Sequence, residues 1–354
     1  MNTLEQMIER GHERVCLHHD RETGLRAIIA IHSTELGNAL GGTRRWHYAT
    51  ESDALYDVLR LSEGMTYKAA CAGLQMGGAK SVIMLPKPGH SSTEAEARAM
   101  GRFVDTFNGA YIAAEDVGVN TQFVDWMALE TKHVMGGETV STGGDPSPYT
   151  AQGTVNAMKA SLAAHGDSAD FAGKRVAIQG VGSVGGKIAK ILTDAGASVV
   201  CADINESNIA HTTQTCSVDV VTVKDILTTE CDILAPCALG GVIDSNTARN
   251  LKCKIVCGAA NNILDDPDED AAMLQSMGIL YAPDFVANAG GLIRLAGLYL
   301  GMTEDELDRK VADIEQTTAQ IFELARHGTS THAAAVALAR QRIAAGAKEQ
   351  VHAG

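Results

Sequence analysis

This sequence predicts an α/β protein of two domains, and three observations carry that prediction. From about residue 150 onward, short apolar strands alternate with helical stretches, the pattern of a parallel sheet covered by helices on both faces. Strands are expected at 175–179 and 198–203 and near 219–223, 232–237, 254–258 and 278–283. Helices are expected at 150–164, 184–195 and over the end, 304–348. Before residue 136 the elements mix less regularly: strands at 25–31, 81–85 and 111–114, and a helix within 51–74 carrying Leu55, Leu59 and Met65. Between the two regimes lies 136–148, rich in Gly, Ser, Thr and Pro, which reads as a linker and hinge. The length of 354 residues also fits two domains at roughly 150 residues each. The expected boundaries are 1–140, completed by C-terminal helices over about 325–354, and 141–324.

Composition removes several classes. At 45% hydrophobic the chain is too apolar for disorder. With 29 Lys and Arg against 43 Asp and Glu, the net charge of −14 argues against nucleic-acid binding and against docking on anionic membrane. No stretch reaches 18 apolar residues, so no membrane span is expected, and the first residues, MNTLEQMIERGHE, hold no secretory apolar region. The eight cysteines form no C-x-x-C and sit mostly in apolar runs, as small buried hydrophobes do in a reducing compartment. A soluble cytoplasmic protein is expected. The acidic run 265–270 (DDPDED) reads as a solvated turn opening a helix rather than a metal loop, and no metal is expected.

Residues 175–186, RVAIQGVGSVGG, place Gly180, Gly182 and Gly185 in G-x-G-x-x-G register between a strand and a helix. Gly180, Gly182, Ser183, Val184 and Gly185 therefore form a candidate dinucleotide turn. Glycines let the backbone approach a pyrophosphate, and the helix N-terminus offers unpaired N–H donors. Asp203, 21 residues after Gly182, suits the ribose hydroxyls and would repel the extra phosphate of NADP, so NAD is the expected cofactor. The competing reading is a tight strand–helix turn with an unrelated Asp.

Lys68 closes an apolar helix and Lys80 opens an apolar strand, flanking what reads as a Gly77-Gly78 turn. Two ammonium groups in one protected site cannot both hold a proton cheaply, so one becomes a base. Glu115 and Asp116 end a strand within 114–118, and a carboxylate there can relay protons. Spacing alone favours ordinary surface lysines and acids, which are common.

A resemblance goes further. The segments LGGTR (40–44), GMTYKAACAGLQMGGAKSVI (64–83), AAEDVG (113–118), GVGSVGG (180–186), CGAANNIL (257–264) and APDFVANAGGLI (282–293) resemble, in family order, the glutamate, leucine, phenylalanine and valine dehydrogenases, with the leucine branch nearest by pattern. Two departures are small: G-G-A-K stands where many members have a third Gly, and Gly185 where leucine enzymes often have Ala. The resemblance implies an N-terminal α/β substrate and oligomerisation domain, a Rossmann NAD-binding domain, and an active site in the cleft between them. It implies oxidative deamination of an L-amino acid to the 2-oxo acid, ammonium and NADH. Lys68 would bind the α-carboxylate with the backbone at Gly41 and Gly42. Lys80 would be the general base that activates water, and Asp116 would exchange protons with the amino group. Asn261 would touch substrate and nicotinamide, and Thr150 the carboxamide. A homo-oligomer, from dimer to octamer, is implied as well.

Glutamate-specific members carry Lys before the Gly-Gly pair and Ser four residues past N-A-G-G; this chain has Leu40 and Leu295. A glutamate carboxylate there would be desolvated without a partner, which costs several kcal/mol. An apolar substrate is therefore expected, in a pocket of Leu40, Ala114, Met135, Leu292 and Leu295. The alternatives are a catalytically silent NAD- or amino-acid-binding regulator on the same fold, a glutamate dehydrogenase, and a hydroxy-acid dehydrogenase, which would need a His–carboxylate pair.

Overall fold

The computed structural model describes residues 2–140, 144–326 and 328–353. The chain divides into two compact units: Met1–Gly144 with Leu295–Gly301 and Ala339–Gly354, and Asp145–Arg294 with Met302–Leu338. Of the linker expected over 136–148, residues 141–143 lie outside the described residues. The chain returns to the first unit at Ala339 rather than at about 325, and a short earlier piece joins it.

The first unit runs α1 (Thr3–Arg10), β1 (Arg14–His19), β2 (Arg26–Ser33), β3 (Ala39–Trp46), α2 (Glu51–Cys71), β4 (Gly77–Met84), α3 (Glu94–Asp105), β5 (Tyr111–Glu115) and α4 (Thr121–Ala128). Among the described residues its strands form one mixed sheet, β1-β2-β4-β3-β5, with β3 parallel to both β4 and β5. Side chains alternate along a strand, so the register assigns faces. Gly78, Lys80 and Val82 share a face with Leu40, Gly42 and Arg44 of β3, Ile112 and Ala114 of β5, and Ile28 and Ala30 of β2. Helix α2 covers this face, packing Ala54, Leu55, Val58 and Leu59 on Ile28, Ala30 and Val82. It starts at Thr50, whose hydroxyl and the Asp53 carboxylate form a reciprocal capping box. Full burial of Val58 and of Leu59 stabilises the layer by roughly 1.5–3 kcal/mol each. The other face buries Ile29, Ile31, Ala79 and Ile83 against Met100, Phe103, Phe123 and Met127 of α3 and α4.

One local expectation is corrected. Gly77 and Gly78 are not a turn; they open β4, so Lys80 lies inside the strand. A Cβ on Gly77 would overlap the Ser33 carbonyl, and one on Gly78 the backbone of Thr66. The pair is glycine because β2 and α2 press on the strand there.

The second unit contains α5 (Ser147–His165), β6 (Arg175–Gln179), α6 (Gly185–Asp194), β7 (Ser198–Ala202), α7 (Glu206–Thr215), β8 (Val218–Val220), β9 (Cys231–Pro236), α8 (Ser245–Ala248), β10 (Cys253–Val256), α9 (Pro267–Ser276), β11 (Leu280–Tyr281), α10 (Asp284–Ala287) and α12 (Glu304–Ala325). Helices α11 (Gly290–Tyr299) and α13 (Thr331–Ala353) begin in it and end in the first unit. Its sheet is parallel throughout, in the order β11-β10-β9-β6-β7-β8. The chain leaves β6 toward β7 and β8, then crosses to β9 on the other side. That reversal makes the carboxyl end of β6 a topological switch point, where open α/β sheets take ligands. The acidic run 265–270 opens α9 as expected: Asp266 accepts from the N–H groups of Asp268 and Glu269 at 3.0 and 2.9 Å. Among the described residues no helix is long and apolar enough to cross a membrane.

Candidate active site

Lys80 projects from the middle of β4 into the layer beneath α2 and is 5% exposed. Its Nζ lies 3.0 Å from Asp116 Oδ1, just past the end of β5. The two residues are 36 apart in sequence and meet because β4 and β5 flank β3. Burial pushes the Lys80 ammonium below the ordinary lysine range; Asp116 opposes that shift and the Arg44 cation adds to it. For Asp116, burial favours the neutral acid, but Lys80 and Arg44 outweigh it and hold the carboxyl below the usual carboxylate range. A base with a lowered affinity for its proton thus sits in contact with a carboxylate that stays ionised, the pairing that acid–base chemistry needs. Glu115, the other acid of the motif, is exposed and alternates to the opposite side of β5.

The two glycines of β3 separate in role. Gly42 shares the Lys80 face, and a Cβ there would press on Asp116 Cβ at 2.8 Å, so its bareness lets Asp116 sit where it does. Gly41 faces the other way; its carbonyl accepts from the Tyr111 hydroxyl at 2.9 Å, in a buried chain with Ser81 and Thr43. Leu40 and Ala114 are buried on the lysine face. Met135 N–H donates to the Ala113 carbonyl at 2.9 Å, extending the sheet beyond β5, and Met135 is buried beside Ala114 in the alternation. Lys68 is half-buried in the last turn of α2. Two and three residues further on, Ala70 and Cys71 give their carbonyls to Arg342, at 3.2 Å for Ala70 and 2.5 Å for Cys71.

In the second unit Gly180 takes φ +89°, open to glycine, and its N–H donates to the Ala202 carbonyl at 2.8 Å. A Cβ on Gly185 would overlap the Gly180 carbonyl, whereas one on Gly182 meets nothing nearer than 3.8 Å. Helix α6 starts after Val184 without a side-chain cap. Asp203 Oδ2 accepts from the Val181 N–H at 2.8 Å and from Asn208 Nδ2 at 3.1 Å, and Oδ1 from the Asn205 N–H at 2.8 Å. Burial opposes its charge, yet these donors keep the carboxyl below the usual range. Asp203 therefore also braces the turn, which spacing did not reveal. Beside it Ile204 is 86% exposed at the end of β7, and Leu239 is 79% exposed just past β9. An uncapped helix start, an open site over Gly182, an ionised Asp203 and two bare apolar side chains together fit a dinucleotide.

Sequence reasoning assigned no role to three other groups. Lys187 donates to the Ser183 carbonyl at 3.0 Å and the Ser147 hydroxyl at 3.1 Å and pairs with Asp145 at 3.1 Å, pinning the start of α5 to the turn. Asn288, buried in the N-A-G-G segment, donates to Asn261 Oδ1 at 2.8 Å and to the Ala259 and Ala260 carbonyls at 3.2 Å; it orients the exposed Asn261. Arg44 stands inside the quoted LGGTR segment, yet only the fold shows that it holds Asp116. Thr150 lies in the first turns of α5, where Gly291 leaves room: a Cβ there would come within 2.8 Å of the Thr150 hydroxyl. Leu292 is buried and Leu295 half-buried, three apart on α11 and so neighbours on one helix face.

Family models match nearly the whole chain. The one described as "Glu/Leu/Phe/Val dehydrogenase, dimerisation domain" matches residues 12–133. The one described as "Glutamate/Leucine/Phenylalanine/Valine dehydrogenase" matches 145–210 and 201–351. The chain is 43% identical over 346 residues to a leucine dehydrogenase of Thermoactinomyces intermedius, covering 97% of this chain and 94% of the relative. It is 42% identical over 349 residues to a valine dehydrogenase of Streptomyces virginiae, covering 97% of each. Among solved structures, L-tryptophan dehydrogenase from Nostoc punctiforme matches with a TM-score of 0.86 at 38% identity, over 97% of this chain and 99% of that one.

Proposed function

The chain belongs to the Glu/Leu/Phe/Val dehydrogenase family, and from that premise we propose that it catalyses the reversible, NAD-dependent oxidative deamination of an apolar L-amino acid. The balanced reaction is L-amino acid, NAD⁺ and water giving 2-oxo acid, ammonium, NADH and a proton. The observation that carries the chemistry is the buried Lys80–Asp116 pair at 3.0 Å. Lys80, neutral, takes the proton from the water that adds to the imino carbon of the substrate once its hydride has gone. Asp116 exchanges protons with the nitrogen as it leaves as ammonia. Lys68 holds the α-carboxylate, and Asn261, oriented by Asn288, contacts substrate and nicotinamide. Gly180, Gly182, Ser183, Val184 and Gly185 hold the dinucleotide phosphates, Asp203 the ribose and Thr150 the carboxamide. When bound, the nicotinamide accepts the hydride; the protein's part is orientation and polarisation.

The apolar preference rests on Leu40, Ala114 and Met135, which share the Lys80 face with no cation among them to meet a side-chain carboxylate. Leu292 and Leu295 of α11 are the further apolar side chains that this reading assigns to the substrate. Aliphatic and aromatic substrates both suit these side chains, in keeping with the leucine, valine and tryptophan enzymes among the relatives. The protein works as a cytoplasmic homo-oligomer: its free thiols suit a reducing compartment, Leu17 stands exposed on β1, inside the stretch 12–133 matched by the dimerisation model, and Leu4 and Ile8 stand exposed on α1 just before it. The test is NADH formation across a panel of Leu, Val, Ile, Phe, Trp and Glu at a pH of about 10, where a lysine whose proton affinity burial has lowered is largely neutral. Turnover of an apolar member but not of Glu is expected; turnover of Glu alone would refute the pocket.

Two substitutions probe it further. Leu40→Lys should cut kcat/KM for apolar substrates by at least about tenfold, since it buries a charge against their side chains. Unchanged specificity would remove Leu40 from the pocket. Asp203→Asn keeps an acceptor for Val181 but loses the charge, so the preference for NAD over NADP should narrow; an unaltered ratio of the two Kd values would refute the ribose role.

A further inference from the structure

We propose that Arg44 is a positioning residue of the reaction, holding Asp116 by one oxygen so that the other stays aimed at Lys80 and the reacting nitrogen. The inference rests on the roles proposed above for Lys80 and Asp116. Arg44 lies on β3 two residues beyond Gly42, on the same sheet face as Lys80. Its Nε donates to Asp116 Oδ2 at 2.8 Å, while Lys80 Nζ takes Oδ1 at 3.0 Å. The two carboxylate oxygens are thus divided between two cations. Arg44 is fixed in turn: its Nη1 donates to Asp57 Oδ2 at 2.9 Å, and Asp57 also accepts from the Tyr48 hydroxyl at 2.7 Å and from Arg60 at 3.3 Å. A planar guanidinium gripped on Nε by one carboxylate and on Nη1 by another cannot turn, which a lysine in its place could not reproduce.

Burial makes the arrangement effective. The side chains of Asp116, Arg44 and Asp57 are 19, 20 and 15% exposed, so solvent and salt screen these contacts weakly. Freed of Arg44, the Asp116 carboxyl could rotate, offer either oxygen to Lys80, or take up a proton. The Arg44 charge also acts on both partners together, favouring the anion on Asp116 and the neutral amine on Lys80. Of the other charged groups on the packed elements, Asp57 of α2 acts on Lys80 and favours its cation. Arg60 pairs with that Asp57, Glu63 with Arg10, Asp53 caps the first turn of α2, which also holds Glu51, and Lys68 lies in its last turn. Arg26 of β2 reaches the Met84 carbonyl, while Glu115 of β5 and Arg45 of β3 alternate to the opposite face.

The experiment compares Arg44→Gln and Arg44→Lys with the native enzyme, measuring kcat, KM and the pH profile of kcat/KM in deamination, with NADH binding followed by fluorescence. Arg44→Gln should lower kcat by about 10- to 100-fold and move the acid limb to higher pH, because Lys80 then keeps its proton longer, while NADH affinity is unchanged. Arg44→Lys retains the charge but not the fork; it should lower kcat with the acid limb near its native place. Native kcat and an unmoved limb in Arg44→Gln would overturn the proposal, even with Lys80→Ala inactive. An active Lys80→Ala would instead overturn the reading on which it rests. If Arg44→Gln does not fold, Asp57→Asn decides: a lower kcat with the acid limb moved to lower pH, because Asp57 helps Lys80 keep its proton, supports the anchor, and native kcat refutes it.

Discussion

Lys80→Ala should reduce kcat by about 10²- to 10⁴-fold, the range that a positioned general base contributes, while NADH still binds. The separation follows from where Lys80 stands. It belongs to the sheet of the first unit, whereas the residues proposed for the dinucleotide belong to the second. The fold should survive, because Asp116 keeps Arg44 as a partner and is not left as a lone buried charge. A melting curve and an NADH titration separate loss of chemistry from loss of structure. The native enzyme adds a pH signature. Burial lowers the Lys80 proton affinity, so the base becomes competent below the ordinary lysine value of about 10.4. In deamination, kcat/KM should therefore rise with pH and level off before that value is reached. A rise centred on the ordinary lysine value would mean that the base is not buried. Turnover retained in Lys80→Ala would transfer the role to another group.

How much of this site can be read without a fold depends on the range of the interactions. The dinucleotide turn is legible because its requirements are local: strand, bare glycines, helix start and a carboxylate at the next strand end all lie within 175–203. Lys80 and Asp116 are legible as residue types, but their pairing depends on β3 lying between β4 and β5, a long-range fact. Gly77 and Gly78 read as a turn because glycine favours turns; at these positions it answers instead to Ser33 and Thr66 pressing on the strand. The Gly41-Gly42 pair reads as one unit, yet alternation sends one residue to the lysine face and the other to the Tyr111 network. Arg44 and Asn288 lie inside motifs visible in the sequence and gain meaning only from the partners that folding brings to them.

Gly182→Ala should weaken NADH binding by about tenfold or more while leaving thermal stability within about 0.5 kcal/mol of the native protein. The three glycines of the turn are glycine for different reasons, and this substitution separates them. Gly180 needs its left-handed backbone, at φ +89°. Gly185 has no room for a Cβ against the Gly180 carbonyl, where β6 turns into α6. Substitution at either should damage the fold itself. Gly182 has neither constraint: a methyl there meets only Asn208 Nδ2 at 3.8 Å, and its backbone is not in the left-handed region. Nothing among the described residues demands glycine at 182; on the proposed reading the demand comes from what the turn receives. A methyl placed over the uncapped start of α6 occupies the space that a pyrophosphate needs for close approach to the N–H groups. Weak binding with an intact melting temperature places the phosphates over Gly182. Native affinity in Gly182→Ala would put them elsewhere, and the function of this turn would have to be argued again from Ser183 and Lys187.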